Sequence, residues 1–209
     1  AFAVDEIGQA HVGAALALGD LLAQEAQALL AGGGGGDHIV GAVAAGGGVP
    51  IRGSAISVSD GTSMNHSGMR FSLVSREIIA DSVEVFVRAH CYDAFVGVAG
   101  CDKTLPGILM GMVRVNVPGV FLFGGAMLPG IAPDGTQATI LTAIEAVGSA
   151  QRGDMSLDTL RGIEKRCTPG AGSCPGQFTA NTMAMVAETL GLAPLVVEQI
   201  FDIIAHADI

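Results

Sequence analysis

The sequence predicts an α/β fold: a parallel sheet flanked by helices on both faces, with a helical C-terminal portion. Three observations carry that expectation. Short apolar runs of strand length, at 94–99 and 119–123, each end in glycine, as strands buried on both faces do. Segments with apolar residues at helical spacing separate and follow them, and such alternation indicates parallel pairing. Half of the residues are apolar, yet Trp is absent and Tyr occurs once. The core must therefore be built from Ala, Val, Ile, Leu and Met with close backbone approach, which 31 glycines among 209 residues permit.

Taken in order, residues 12–31 read as an Ala/Leu-rich helix and 32–36 as a flexible glycine link. The expected division is thus 1–46 as N-terminal helix and linker, and 47–209 as one α/β domain. A glycine turn at 46–48 precedes Pro50. Residues 54–58 alternate and predict a strand that meets Ser59-Asp60-Gly61. A helix is expected over 74–90, with Ile78, Ile79, Val83, Phe86 and Val87 on its apolar stripe and Ser75 placed to cap it. Strand 94–99 leads to a helix over 105–113. Strand 119–123 is closed by Gly124-Gly125. Helices follow at 137–150, 156–166, 177–191 and 195–206. Right-handed crossovers put the strand ends at Asp60, Cys101–Lys103 and Gly124-Gly125 along one edge, where open sheets bind ligands. There is no internal repeat.

A net charge of −10 leaves no basic stripe to neutralise phosphates, which argues against nucleic acid and against an anionic membrane surface. The longest apolar stretch, 12–30, is broken by Asp20, Gln24, Glu25 and Gln27, so no membrane span is predicted. The first residues carry no basic n-region, and no secretory signal is expected there. Cys91, Cys101, Cys167 and Cys174 lack zinc-finger spacing. A reducing, cytoplasmic compartment is the expectation.

The densest chemistry lies in Gly100-Cys101-Asp102-Lys103. Thiols suit iron–sulfur clusters or zinc, and carboxylates suit magnesium or manganese. Asp60, at the neighbouring strand end, pairs with Asp102 as a hard-metal site, although Asp-Gly is also a common turn pair. Mg²⁺ takes one or two carboxylates and completes its shell with water and substrate oxygens, where it acts as a Lewis acid. Lys103 has three readings: a base when neutral, a further oxygen ligand when carbamylated, or an ion pair with Asp60 or Asp102. Cys167-Thr-Pro-Gly-Ala-Gly-Ser-Cys174 is a glycine-rich loop before a helix, open enough to approach a cluster and placed to favour thiolate; equally it reads as a tight loop with a buried cysteine. The five histidines are scattered and none is taken as a ligand, though His66 follows Asp60 in a loop that would face the cleft.

Together these segments resemble the dihydroxyacid dehydratase / phosphogluconate dehydratase family. The matching text is Ser57-Val-Ser-Asp-Gly-Thr-Ser-Met64, Gly68-Met-Arg-Phe-Ser-Leu-Val-Ser-Arg-Glu-Ile-Ile-Ala-Asp-Ser-Val83, Gly100-Cys-Asp-Lys103, Leu105-Pro-Gly107 and Phe123-Gly-Gly125. It closes with Ile163-Glu-Lys-Arg-Cys-Thr-Pro-Gly-Ala-Gly-Ser-Cys174 and Thr179-Ala-Asn-Thr-Met183. The resemblance runs over residues 47–193. It implies the family's N-terminal α/β domain, with Asp60 and Asp102 as Mg²⁺ ligands and Lys103 as a carbamylated lysine. Cys101 and Cys174 would be two of three cysteines holding an iron–sulfur cluster. Ala10 stands where the third is expected, and Cys91 and Cys167 are candidate replacements.

The reaction so implied removes water from a 2,3-dihydroxy or sugar acid. The metal holds the carboxylate and 2-hydroxyl, a base takes the C2 proton, and the enol product becomes a 2-keto acid. Lys103 and Asp102 would be the catalytic pair on this chain. The family's base and a further carboxylate ligand come from a C-terminal domain without counterpart in these residues. A homo- or hetero-oligomer is therefore expected, with a separate C-terminal-domain subunit as one way to complete the cleft. Two other readings are a metal-dependent isomerase or cyclase without a cluster, and a non-catalytic partner subunit.

Overall fold

A computed structural model describes residues 35–63, 67–169 and 172–193. In chain order they form α1 (Gly35–Ala45), the single turn α2 (Asp60–Ser63), and a 3-10 turn (Ser67–Phe71) that runs into α3 (Ser72–Ala89). Then come β1 (Phe95–Ala99), α4 (Thr104–Val115), β2 (Gly119–Phe123), β3 (Gly130–Ile131), β4 (Gln137–Ala138), α5 (Ile140–Arg152), α6 (Leu157–Glu164) and α7 (Thr179–Thr189). The expected architecture, a parallel sheet with flanking helices, is what the structure has.

The centre is β1–α4–β2. The two strands pair in parallel, from Phe95 opposite Gly119 to Ala99 opposite Phe123. Helix α4 is the crossover and buries Leu105, Ile108, Leu109, Met112 and Val115. Pro106 is tolerated because it lies in the first turn, where a backbone N–H has no intrahelical partner. Asn116 ends the helix at φ 51, a left-handed position that Asn adopts more readily than most residues.

Helix α3 lays Ser75, Ile79, Val83 and Val87 along α4 at four-residue spacing. The two helices come close because α4 presents Gly107 and Gly111 to this face. A Cβ on Gly107 would lie 2.8 Å from Ile79 Cβ, and one on Gly111 2.7 Å from Val83 Cβ. Helix α7 closes the core with Ala180, Ala184 and Ala187. The backbone bond from Phe121 N to Leu192 O, 2.7 Å, fastens the chain after α7 to β2. A second small core, of Ala132, Ala138, Ala143, Ala146, Ile163 and Cys167, joins the β3–β4 hairpin to α5 and α6.

Several expectations need correction. Residues 54–58 are extended but form no strand. Only Ala55 of the stretch packs on the core, and Ile56 is 52% exposed. The alternation is therefore not used to cover a sheet face. Ser75 does not cap α3: it is buried in the first turn and donates to Ser72 O at 2.6 Å. Residues 137–138 belong to a hairpin rather than a helix. Its turn is held by Asp134 Oδ1, which accepts from Thr136 N and Thr136 Oγ1 at 3.0 and 2.7 Å. Helix α1 begins inside the glycine run, so Gly35 and Gly36 are helical rather than a link. The helices expected at 12–31 and 195–206, residues 32–34 and His66 lie outside the described residues.

The α3–α4 contact makes a direct prediction. Gly107→Val should lower stability to urea by about 1–3 kcal/mol through overpacking. Gly148→Ala in α5, where the nearest atom to a new Cβ is Arg152 Nη1 at 3.7 Å, should raise it by up to about 1 kcal/mol. Equal responses would mean that α3 and α4 are not packed this closely.

Candidate functional site

The chemistry gathers at the C-terminal tip of β1. After Ala99 the chain turns through Cys101–Lys103 into α4, with Leu105 N and Thr104 N both bonded to Cys101 O at 3.1 Å. The extended segment before α2 runs beside this turn. Ser57 Oγ and Thr104 Oγ1 are 2.9 Å apart, and Cys101 Sγ faces Val58 O at 3.9 Å. Asp60 therefore reaches the tip of β1 without a strand to carry it.

Lys103 Nζ meets two carboxylates there. It contacts Asp102 Oδ2 and lies 3.3 Å from Asp60 Oδ2. The lysine side chain is 17% exposed and each carboxylate side chain 19%. Asp60 Oδ1 accepts a hydrogen bond from Ser72 Oγ at 2.5 Å, at the start of α3. Thr179, at the start of α7, is among the groups that lower the Asp102 carboxyl. Burial pushes the Asp102 carboxyl up, but the Lys103 hydrogen bond, the Thr179 hydroxyl and the lysine charge outweigh it and hold the group below its ordinary value. Burial pushes Lys103 down, but its bond to Asp102 and the charges of Asp102 and Asp60 outweigh that and raise it. Both shifts favour the charged forms of Asp102 and Lys103.

The thiols sit one residue beyond a second junction. Ser173 Oγ donates to Gly100 O. Ser173 N bonds Gly125 O, and Met127 N bonds Ser173 O, both at 2.8 Å. The tip of β1, the end of β2 and the 173 loop are thereby stitched together, and half-buried Cys101 and Cys174 leave from the same contact. Asn181 clamps the loop. Its Nδ2 donates to Cys174 O at 3.0 Å and to Gly176 O at 2.6 Å. Its Oδ1 is buried without a partner among the described residues, an arrangement that costs about 1–3 kcal/mol.

The two replacement thiols are not at the site. Cys167 is 3% exposed, lies in the second core and faces Glu164 O at 3.7 Å. Cys91 lies past the C-terminal end of α3, whereas Ser72 touches Asp60 at the other end; the helix between them is roughly 27 Å long. Among the described residues no three His, Cys, Asp or Glu side chains are gathered to hold a metal. A groove of 1410 Å³ lined by Val43, Val49, Phe86, Tyr92 and Val98 includes none of Asp60, Asp102, Lys103 or the cysteines.

Sequence reasoning missed Ser72, Thr179 and Asn181. Each lies in a family-like motif and at the start of a helix, where Ser, Thr and Asn ordinarily read as caps. Here their side chains turn to a carboxylate or a neighbouring loop instead.

The family described as "Dihydroxy-acid/6-phosphogluconate dehydratase N-terminal" matches residues 34–200. Dihydroxy-acid dehydratase 2 of Bordetella bronchiseptica is 68% identical over 153 residues, which are 73% of this chain and 27% of that protein. Dihydroxy-acid dehydratase of Pelagibacter ubique is 55% identical over 151 residues, 72% of this chain and 26% of that protein. Dihydroxy-acid dehydratase of Nitratidesulfovibrio vulgaris is 51% identical over 172 residues, 80% of this chain and 31% of that protein. The chain belongs to the dihydroxy-acid/6-phosphogluconate dehydratase family and spans between a quarter and a third of the length of these relatives.

The triad sets a pH signature. Asp102 is depressed, so its contribution to stability is complete above the ordinary carboxylate value and is lost as pH falls through its lower folded value. Lys103 is raised, so its contribution is complete below the ordinary lysine value and is lost as pH rises through its higher folded value. The stability difference between wild type and Lys103→Met should therefore be flat from about pH 4 to about pH 10 and shrink outside that window. Thermal unfolding in a pH series measures it; a difference that vanishes at neutral pH contradicts the triad.

Proposed function

We propose that this member of the dehydratase family is the Mg²⁺-binding part of a hydro-lyase acting on a 2,3-dihydroxy or sugar-acid-like carboxylic acid. The observation that carries the reading is the convergence of Asp60 and Asp102, from separate segments, on one cation position at the tip of β1. The names of the relatives point to the reaction class.

The donor set fits a hard divalent cation: two half-buried carboxylates, Asp60 braced by the Ser72 hydroxyl and Asp102 held below its ordinary value. Bound there, Mg²⁺ would supply Lewis acidity to the carboxylate and hydroxyl oxygens of the substrate. The chain's own residues have separate tasks. Ser72 bonds Asp60 and so fixes how that carboxylate faces the cation. Lys103 neutralises the pair as an ammonium. After the ammonium loses a proton, the amine would add to carbon dioxide, release a second proton to solvent and, as a carbamate, become a third oxygen donor. In this reading Lys103 and Asp102 are the catalytic residues of the chain.

Cys101 and Cys174 would serve an iron–sulfur cluster, but the described residues bring two thiols to the place, and clusters are held by three or four ligands. A second reading is a metal-dependent isomerase or cyclase that uses the carboxylates without a cluster. Supporting a cleft completed by another chain or a second subunit, α3 exposes Leu73, Val74, Ile78 and Val85 at 49–66%; large apolar surface of this kind marks contacts. That other chain would supply the base for the C2 proton. Among the described residues no helix is long and apolar enough to cross a membrane. A reducing, cytoplasmic setting suits the free thiols.

Mg²⁺ should raise the thermal midpoint of the wild-type chain, by the equivalent of about 2.7 kcal/mol at a hundredfold excess over its dissociation constant. Asp60→Asn and Asp102→Asn should remove that shift while leaving the circular dichroism spectrum unchanged. Equal Mg²⁺ stabilisation of wild type and both variants would end the proposal.

A further inference from the structure

We propose that Asn181 is a positioning residue: its side-chain amide sets the place of Cys174 relative to Asp102. Three observations meet at the first turn of α7. Both acceptors facing the amide nitrogen are backbone carbonyls, Cys174 O and Gly176 O. Only an NH₂ group satisfies two carbonyls, so the amide has one orientation. The residue is 8% exposed, and its Oδ1 finds no donor among the described residues. Such unmet buried acceptors are uncommon in native proteins and call for an account. One residue before Cys174, Ser173 Oγ donates to Gly100 O, in the turn that goes on to Cys101 and Asp102. The amide and the serine thus hold the thiol-bearing loop against the tip of β1 from two sides.

The inference rests on Cys174 being a functional thiol, but its test needs neither metal nor turnover. The chain has three asparagines, Asn65, Asn116 and Asn181. With nitrogen-15 in their side chains, the wild-type protein should show one amide pair exchanging its protons at least about tenfold more slowly than the exposed Asn116 pair. Asn65→Gln and Asn116→Gln assign that pair by elimination. In Asn181→Asp, carboxylate lone pairs face the two carbonyls and the loop should release. Alkylation of Cys174 by iodoacetamide should then rise at least about fivefold relative to exposed Cys91, while buried Cys167 stays protected. Thr179→Val should leave Cys174 labelling unchanged. An Asn181 amide exchanging at the Asn116 rate overturns the inference. So does Cys174 labelling in folded Asn181→Asp within about twofold of wild type, or a Thr179→Val variant that labels like Asn181→Asp. If Asn181→Asp exposes Cys167 by unfolding, the wild-type exchange rates decide alone. Failure here leaves the Mg²⁺ reading standing, and failure of Mg²⁺ binding leaves the clamp.

Discussion

One ammonium group, on the second residue after Cys101 in the turn beyond β1, lets two carboxylates share a half-buried place. Two like charges about 4 Å apart repel by roughly 4 kcal/mol at an effective dielectric constant near 20. Asp60 and Asp102 approach each other only because Lys103 stands between them. The geometry therefore calls for a positive charge at this point in every state of the protein. Lys103 supplies it in the structure described, and a divalent cation would supply it in a working enzyme.

The fold serves that point. The β1–α4–β2 unit places the turn with Asp102 and Lys103 at a strand tip, where open sheets leave room for a ligand. Close packing of α3 on the glycines of α4 fixes where α3 begins, and Ser72 at that start reaches Asp60. Small alanines on α7 pack it into the same core, and Asn181 in its first turn holds the loop of Cys174.

The central unit is legible because its elements have strong, bounded patterns: β2 lies where expected, and α3, β1 and α4 differ from expectation by a residue or two at their ends. The stretch at 54–58 misled because its alternation has no sheet face to cover, yet Asp60 arrives where a strand would have brought it, through Ser57 and Cys101 contacts that no periodicity encodes. The β3–β4 hairpin escaped notice since two-residue strands carry no period, only an Asp-Gly turn. In the sequence Cys91 and Cys167 are both candidates for the third cluster position. Their places, beyond the far end of a long helix and inside a second core, are settled by packing. Thr179 and Asn181 resembled caps, and only three-dimensional contact shows what they hold.

Manganese has a usable anomalous signal and the same taste for oxygen ligands as magnesium. Crystals of the chain soaked in Mn²⁺ and measured at its absorption edge would locate the ion directly. The account predicts one peak within bonding distance of both Asp60 and Asp102, with the Lys103 amine displaced or modified. A peak elsewhere, or the two carboxylates turned apart with no ion between them, would contradict it.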